Sequence, residues 1–193
     1  MDDSNLRPDE RTLLCHPQTP ASFVRSLTAR AERTSDGGLV FVYTLSGDLV
    51  RLRIPPPGAP DRHDRLWEHT CCEAFIAVAG EPAYRELNFS PSGQWAAYAF
   101  SAYRQPHTLD ETAAAPVLAS RLSPGRLELT VRVGAGLMPR GVATKTLHVG
   151  LAAVIETVDT VDGERSYWAL HHAGEQPDFH RRETFILHLP ALG

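Results

Sequence analysis

Cysteine is scarce in this sequence: three residues in 193, two of them adjacent (Cys71 and Cys72). Three cysteines make no disulfide framework. A chain of this length buries roughly 70% of its unfolded surface, so its core needs neither a disulfide nor a structural metal. Basic runs are also missing. Nineteen Lys and Arg against 23 Asp and Glu leave a formal charge of −4, which speaks against nucleic acid and against an anionic membrane surface as partners. No apolar run approaches the ~20 residues of a membrane span. The opening residues, MDDSNLRPDER, are acidic and polar, whereas a secretory signal has a basic start and an apolar core. The expectation is a soluble cytoplasmic protein with free thiols. The sequence contains no nucleophile elbow, phosphate loop or His-Glu-x-x-His zinc motif, so catalysis has no signature and a non-enzymatic role is expected. There is likewise no Cys-x-x-Cys-His haem attachment.

What the chain does have is period-two alternation. Leu39–Tyr43 is β-branched and aromatic behind an Asp36-Gly37-Gly38 turn. Leu127, Leu129, Val131 and Val133 alternate with Glu128, Thr130 and Arg132, the pattern of a strand wet on one side. Further strands are expected at 84–90, 94–103, 147–156, 166–170 and 184–189, with tight turns at Ser90–Gly93 and Val161–Gly163. Pro55–Pro60 cannot be a strand and opens a charged loop. Gln105–Pro116 reads as a second loop, with a short helical turn at Asp110–Ala115, and Gly134–Met138 as one more turn. No long amphipathic helix and no internal repeat are evident. About ten short strands separated by turn signals predict an all-β, two-sheet antiparallel sandwich. The expected organisation is a flexible N-terminus over residues 1–12 and a single domain over 13–193.

The densest stretch runs from Trp67 to Arg104, where eight of the chain's 15 aromatic residues fall: Trp67, Phe75, Tyr84, Phe89, Trp95, Tyr98, Phe100 and Tyr103. Threaded among them are Glu73, Arg85, Glu86 and Asn88. Aromatic faces beside fixed polar groups suit a flat, hydroxyl-rich ligand, because rings cover its apolar face while carboxylates and amides bond its edge. An aromatic sheet core would look similar in density alone.

The spacing of Trp67 from Glu73-Ala74-Phe75-Ile76 resembles the "W-x5-E-[IAV]-F" strand of DOMON-like domains and family 9 carbohydrate-binding modules. Cys72-Glu73-Ala74-Phe75, Tyr84–Gly93, Tyr98–Arg104, Tyr167–His172 and Pro177–Arg182 are similar to the bacterial DOMON-like branch, as is Cys15-His16-Pro17. The resemblance covers about residues 13–189. It implies a two-sheet sandwich that binds a saccharide or a haem. In the sugar-binding relatives the Trp and Glu of that strand lie in the sugar site. The resemblance therefore places Trp67 and Glu73 there, with Trp168 as the ring facing them.

Each candidate has two readings. Glu73 shares a strand face with Cys71 and Phe75, where a carboxylate needs a ligand, water or a partner such as Arg85 or Arg104. Tyr84, Glu86 and Asn88 share one face of their strand while Arg85, Leu87 and Phe89 share the other, so Asn88 faces either water or a binding surface. Trp95 and Tyr98 fall on opposite faces of the next strand. His171, His172 and His180 match no metal spacing, and none is expected to hold a metal. In the loop 178–182, Asp178 is expected to orient His180 or an arginine. A haem would have to draw on Met138, His148, His171 or His180, and no cofactor is expected. Cys71 and Cys72 are expected to be buried packing residues. The site expected from sequence is thus Trp67, Glu73, Arg85, Asn88, Trp168, His171 and His180, binding a saccharide. The rival readings are a haem module, a glycoside-active enzyme and a protein-interaction module.

Overall fold

The computed structural model describes residues 9–109, 112–158 and 164–192. The strands, in chain order, are β1 (Arg11–Thr12), β2 (Leu14–Cys15), β3 (Val24–Arg33), β4 (Leu39–Gly47), β5 (Cys71–Val78), β6 (Tyr84–Phe89) and β7 (Trp95–Ala102). They continue as β8 (Gln105–His107), β9 (Val117–Ser123), β10 (Arg126–Val133), β11 (Leu147–Glu156), β12 (Arg165–Ala169) and β13 (Leu187–Leu189). Every strand pair is antiparallel. One sheet has the order β1-β3-β4-β10-β9; the other runs β2-β12-β11-β5-β6-β7-β8, with β13 beside β11. The fold is the expected all-β, two-sheet sandwich.

The core between the sheets follows from strand alternation. Phe41, Tyr43, Leu129 and Val131 of the first sheet meet Ile76, Leu87, Phe89, Val149 and Leu151 of the second. Tyr43 spans the gap, its hydroxyl donating to the Glu73 carbonyl at 2.7 Å. β10 behaves as its pattern predicts, with Leu127, Leu129, Val131 and Val133 buried and the alternate residues wetter. β5 and β11 differ: β5 is buried at every position and β11 at all but His148. The reason is a second apolar layer outside that sheet. Phe179 and Phe185, from the C-terminal segment, pack on Phe75, Tyr84, Val154 and Ala169. Gly150 makes room for them, since a Cβ there would stand 2.9 Å from the Phe185 ring.

Several expectations are corrected. The terminal strand is only β13, because a 3-10 turn over Arg182–Thr184 interrupts the segment expected to extend from 184. Thr184 Oγ1 holds that turn by donating to the carbonyls of Phe179 and Arg181, which sets Phe185 against the sheet. Sheet pairing begins at Arg11, ahead of the expected domain start, since Arg11 and Thr12 pair with Ala29 and Thr28; residues 1–8 lie outside the described residues. Gln105–His107 is a strand rather than loop. The expected turn at 161–163 also falls outside the described residues, as do positions 110 and 111 of the expected helical turn, whose described part is not helical.

Candidate functional site

The outer face of the larger sheet carries a hollow whose shape follows from side-chain size along one cross-strand row. Ala169, Ala152, Glu73, Asn88 and Ala96 stand side by side on β12, β11, β5, β6 and β7. Ala152 and Ala169 flank Glu73 on one side, and Asn88 followed by Ala96 on the other. The neighbouring row is bulky, with Phe75, Glu86 and Tyr98 paired across β5, β6 and β7. Tyr167, opposite Val154, closes the far side. The result is a cavity of about 400 Å³, within the range of roughly 300–1,000 Å³ typical of small-molecule sites.

Two segments build its walls. One is the 3-10 turn Leu66–Glu68 just before β5. Arg65 enters it with a left-handed φ of 63°, and buried Leu66 anchors it against Cys71 and Ala96. Trp67 is thereby left 38% exposed at the cavity edge, its ring 5.7 Å from Tyr98 in an edge-on contact. The other is the C-terminal segment carrying Pro177, Asp178, Phe179 and His180. Asp178 accepts from Arg104 Nη2 at 2.9 Å, from Tyr103 at 2.6 Å and from the His180 backbone N–H at 3.2 Å. It therefore orients both an arginine and the histidine loop.

The polar chain inside the cavity has a defined direction. The Arg104 backbone N–H donates to the Tyr84 hydroxyl at 3.1 Å, so the hydroxyl proton is free to go to His180 Nδ1, 2.8 Å away. His180 then carries its proton on Nε2, facing Glu86 Oε2 at 3.5 Å. Burial, together with the charge of Arg104, lowers His180 to about 4, so its ring is neutral near pH 7. Burial pushes the Glu86 carboxyl up to about 7, against the pull of Asn88 and Arg104. Glu73, only 3% exposed, is raised well above the carboxylate range by burial and by the charge of Glu86. Asn88 Nδ2 donates to Glu86 Oε1 at 2.9 Å. Glu73 Oε1 and Asn88 Oδ1 are buried without a hydrogen-bond partner.

Of the residues expected from sequence, Trp67, Glu73 and His180 line this cavity, and Asn88 adjoins them through Glu86. Arg85 does not join them. It points to the other face of β6, where its Nε is buried without a partner. The ion-pair reading of Glu73 fails with it, since Arg104 is engaged by Asp178. Trp168 is also elsewhere: it lies in the core between the sheets, 7% exposed, with Nε1 donating to Ser166 Oγ. The neighbouring Tyr167 takes the cavity position because successive strand residues alternate faces. His171 is exposed and outside the cavity. Sequence reasoning did not assign Arg165, Tyr167 or Phe179 to the site, although Tyr167 adjoins a residue that it did. Met138 is buried in the main core, across the sheet from His180, so the two are not brought together. Among the described residues, no three His, Cys, Asp or Glu are grouped to hold a metal ion, and no helix is long and apolar enough to cross a membrane.

No family model matches the chain, and no curated protein matches it. Solved structures do. A candidate carbohydrate-binding protein from Bacteroides uniformis superposes with a TM-score of 0.66 at 16% identity, over 92% of this chain and 84% of that one. A family 9 carbohydrate-binding module from Caldicellulosiruptor kristjanssonii, in complex with glucose, gives 0.55 at 8% identity, over 91% and 80%. A family 9 module from the same organism in complex with cellotriose gives 0.51 at 7%, over 94% and 83%. At these identities the likeness shows the fold: the chain is a sandwich of the family 9 carbohydrate-binding-module type.

Proposed function

We propose that this protein is a non-catalytic saccharide-binding domain whose ligand sits in the cavity over Glu73. The observation that carries the reading is the pairing of aromatic walls with an unsatisfied polar base. Trp67, Tyr98, Phe100 and Tyr167 line the sides, while Glu73 Oε1 is a buried acceptor with no donor. A sugar ring meets both needs. Its C–H face packs on an aromatic ring and its hydroxyls donate to the carboxyls at the base. Trp67 is the stacking ring, with Tyr167 in the facing role. Glu73 and Glu86 take the hydroxyls, and His180 fixes Glu86. That neighbours in fold are seen in complex with glucose and cellotriose supports the same ligand class.

Tryptophan fluorescence tests this directly. The chain has three tryptophans, and Trp95 and Trp168 are both buried. A ligand entering the cavity therefore changes chiefly the Trp67 signal. Titration with mono- and disaccharides is expected to give a saturable change that Trp67→Phe alters, with the sugar recovered unchanged. A panel of sugars with no saturable response contradicts the reading.

A further inference from the structure

Resting on that reading, we propose that the preferred ligand is a saccharide bearing a free amine, seated with its ammonium group between Glu73 and Glu86. Four observations converge on the charge.

The first is that, among the described residues, no lysine or arginine forms an ion pair with either carboxyl, Arg104 acting on Glu86 only through its field. Glu73 is almost fully buried and keeps Oε1 unpartnered. Glu86 has the Asn88 amide and a neutral imidazole as its neighbours. The second is that the arginines near the cavity are placed for other work. Arg104 is matched by Asp178 at 2.9 Å, Arg165 stands exposed at the rim, and Arg85 is on the opposite face of β6. The third is the wall. Trp67, Tyr98, Phe100 and Tyr167 present aromatic surfaces, and ring faces attract a cation held over them in a desolvated site.

The fourth is a comparison of ligands. A neutral hydroxyl supplies one donor to one carboxylate and leaves the pair's charge uncompensated in a poorly solvated space. An ammonium supplies three donors and the missing charge together. Without it, burial, joined at Glu73 by the charge of Glu86, favours the protonated form of both carboxyls. The other titratable groups facing the pair do not alter this balance. Burial holds Tyr84, Tyr98 and Cys71 in their neutral forms, His180 is neutral, and Asp178 is ionised and paired. Binding an ammonium therefore drives protons off the pair, and affinity rises as pH approaches the Glu86 value from below.

Calorimetric titration of the full chain with D-glucosamine, D-glucose, N-acetyl-D-glucosamine and choline tests the inference at about pH 5.5 and about pH 7. Glucosamine is expected to bind about tenfold or more tighter than glucose and N-acetylglucosamine near pH 7. That advantage shrinks at the lower pH and disappears in Glu73→Gln and Glu86→Gln, each checked for folding by circular dichroism. If glucose or N-acetylglucosamine equals or exceeds glucosamine, the charge inference is overturned and the saccharide reading stands. Binding of choline with no sugar bound, or binding of none of the four, overturns both.

Discussion

Glu73 on β5 and Asn88 on β6 stand directly opposite each other, and each keeps one buried side-chain oxygen without a hydrogen-bond partner. Buried side-chain oxygens without a partner do not favour folding, since each orphan costs about 1–3 kcal/mol. The same row holds alanines at β11, β12 and β7, so the hollow opens where the acceptors are. Cavity and orphaned acceptors thus arise from one pattern of residue sizes across five strands.

The adjacent residues Tyr167 and Trp168 should separate binding from stability. Trp168→Ala removes a core side chain and is expected to cost about 3–5 kcal/mol, seen as a large fall in Tm. Tyr167→Ala is expected to leave Tm nearly unchanged and to weaken ligand binding. Thermal denaturation and titration of the two variants side by side check this.

Trp67→Ala is expected to reduce saccharide affinity about tenfold or more, equivalent to ~1.4 kcal/mol, with little loss of stability because the ring is 38% exposed. Calorimetry on wild type and variant measures the first effect, and urea unfolding the second.

The Glu86–His180 pair makes a pH prediction with two opposing signs. Glu86 titrates near 7 in the native state against 4.5 when unperturbed, so the native state holds the extra proton and this group's contribution falls as pH rises through that window. It amounts to on the order of 3 kcal/mol. His180 titrates near 4 against 6.5, so the unfolded state holds the extra proton and stability is lost as pH falls from 6.5 to 4. Where the windows overlap the slopes cancel, and the wild type changes little with pH on their account. Glu86→Gln leaves only the histidine slope. The variant should lose stability from pH 6.5 towards pH 4 by on the order of 2–3 kcal/mol, and should exceed the wild type above pH 7. Urea midpoints across this range decide it.

Gly150→Ala is expected to destabilise the protein by about 1–3 kcal/mol, the usual cost of overpacking. A Cβ at 2.9 Å from Phe185 forces the C-terminal segment away from the sheet. Phe179 and His180 belong to that segment, so ligand affinity should fall as well, whereas a core substitution such as Leu129→Ala should lower Tm alone.

Much of the sandwich was readable because β10 and the inner face of β11 alternate cleanly. β3 was not readable. Arg25, Ser26, Thr28 and Arg30 dilute its pattern, and a bulge between Val24 and Ser26 breaks its register. β9 is an edge strand with mostly exposed side chains, so no buried face marks it. Of the residues that line the cavity, Trp67 and Glu73 were legible because a short turn leads directly into β5. Trp168 was not placed by sequence because β12 carries one aromatic residue on each face, and in Ser166-Tyr167-Trp168-Ala169 nothing local says which ring faces the core. That choice is made by register: Trp168 pairs with Ala153 and Cys15, which fixes its side towards the first sheet. Arg85 lies away from the cavity for the same period-two reason.

A proton–nitrogen correlation spectrum recorded during saccharide titration tests most directly whether the ligand sits over Glu73. The Trp67 indole resonance and the backbone amides of Glu73, Glu86, Asp178 and His180 are expected to shift together with one saturation curve. The indoles of Trp95 and Trp168 should stay in place. Shifts clustered on another surface, or no shifts with any saccharide tested, would contradict that placement.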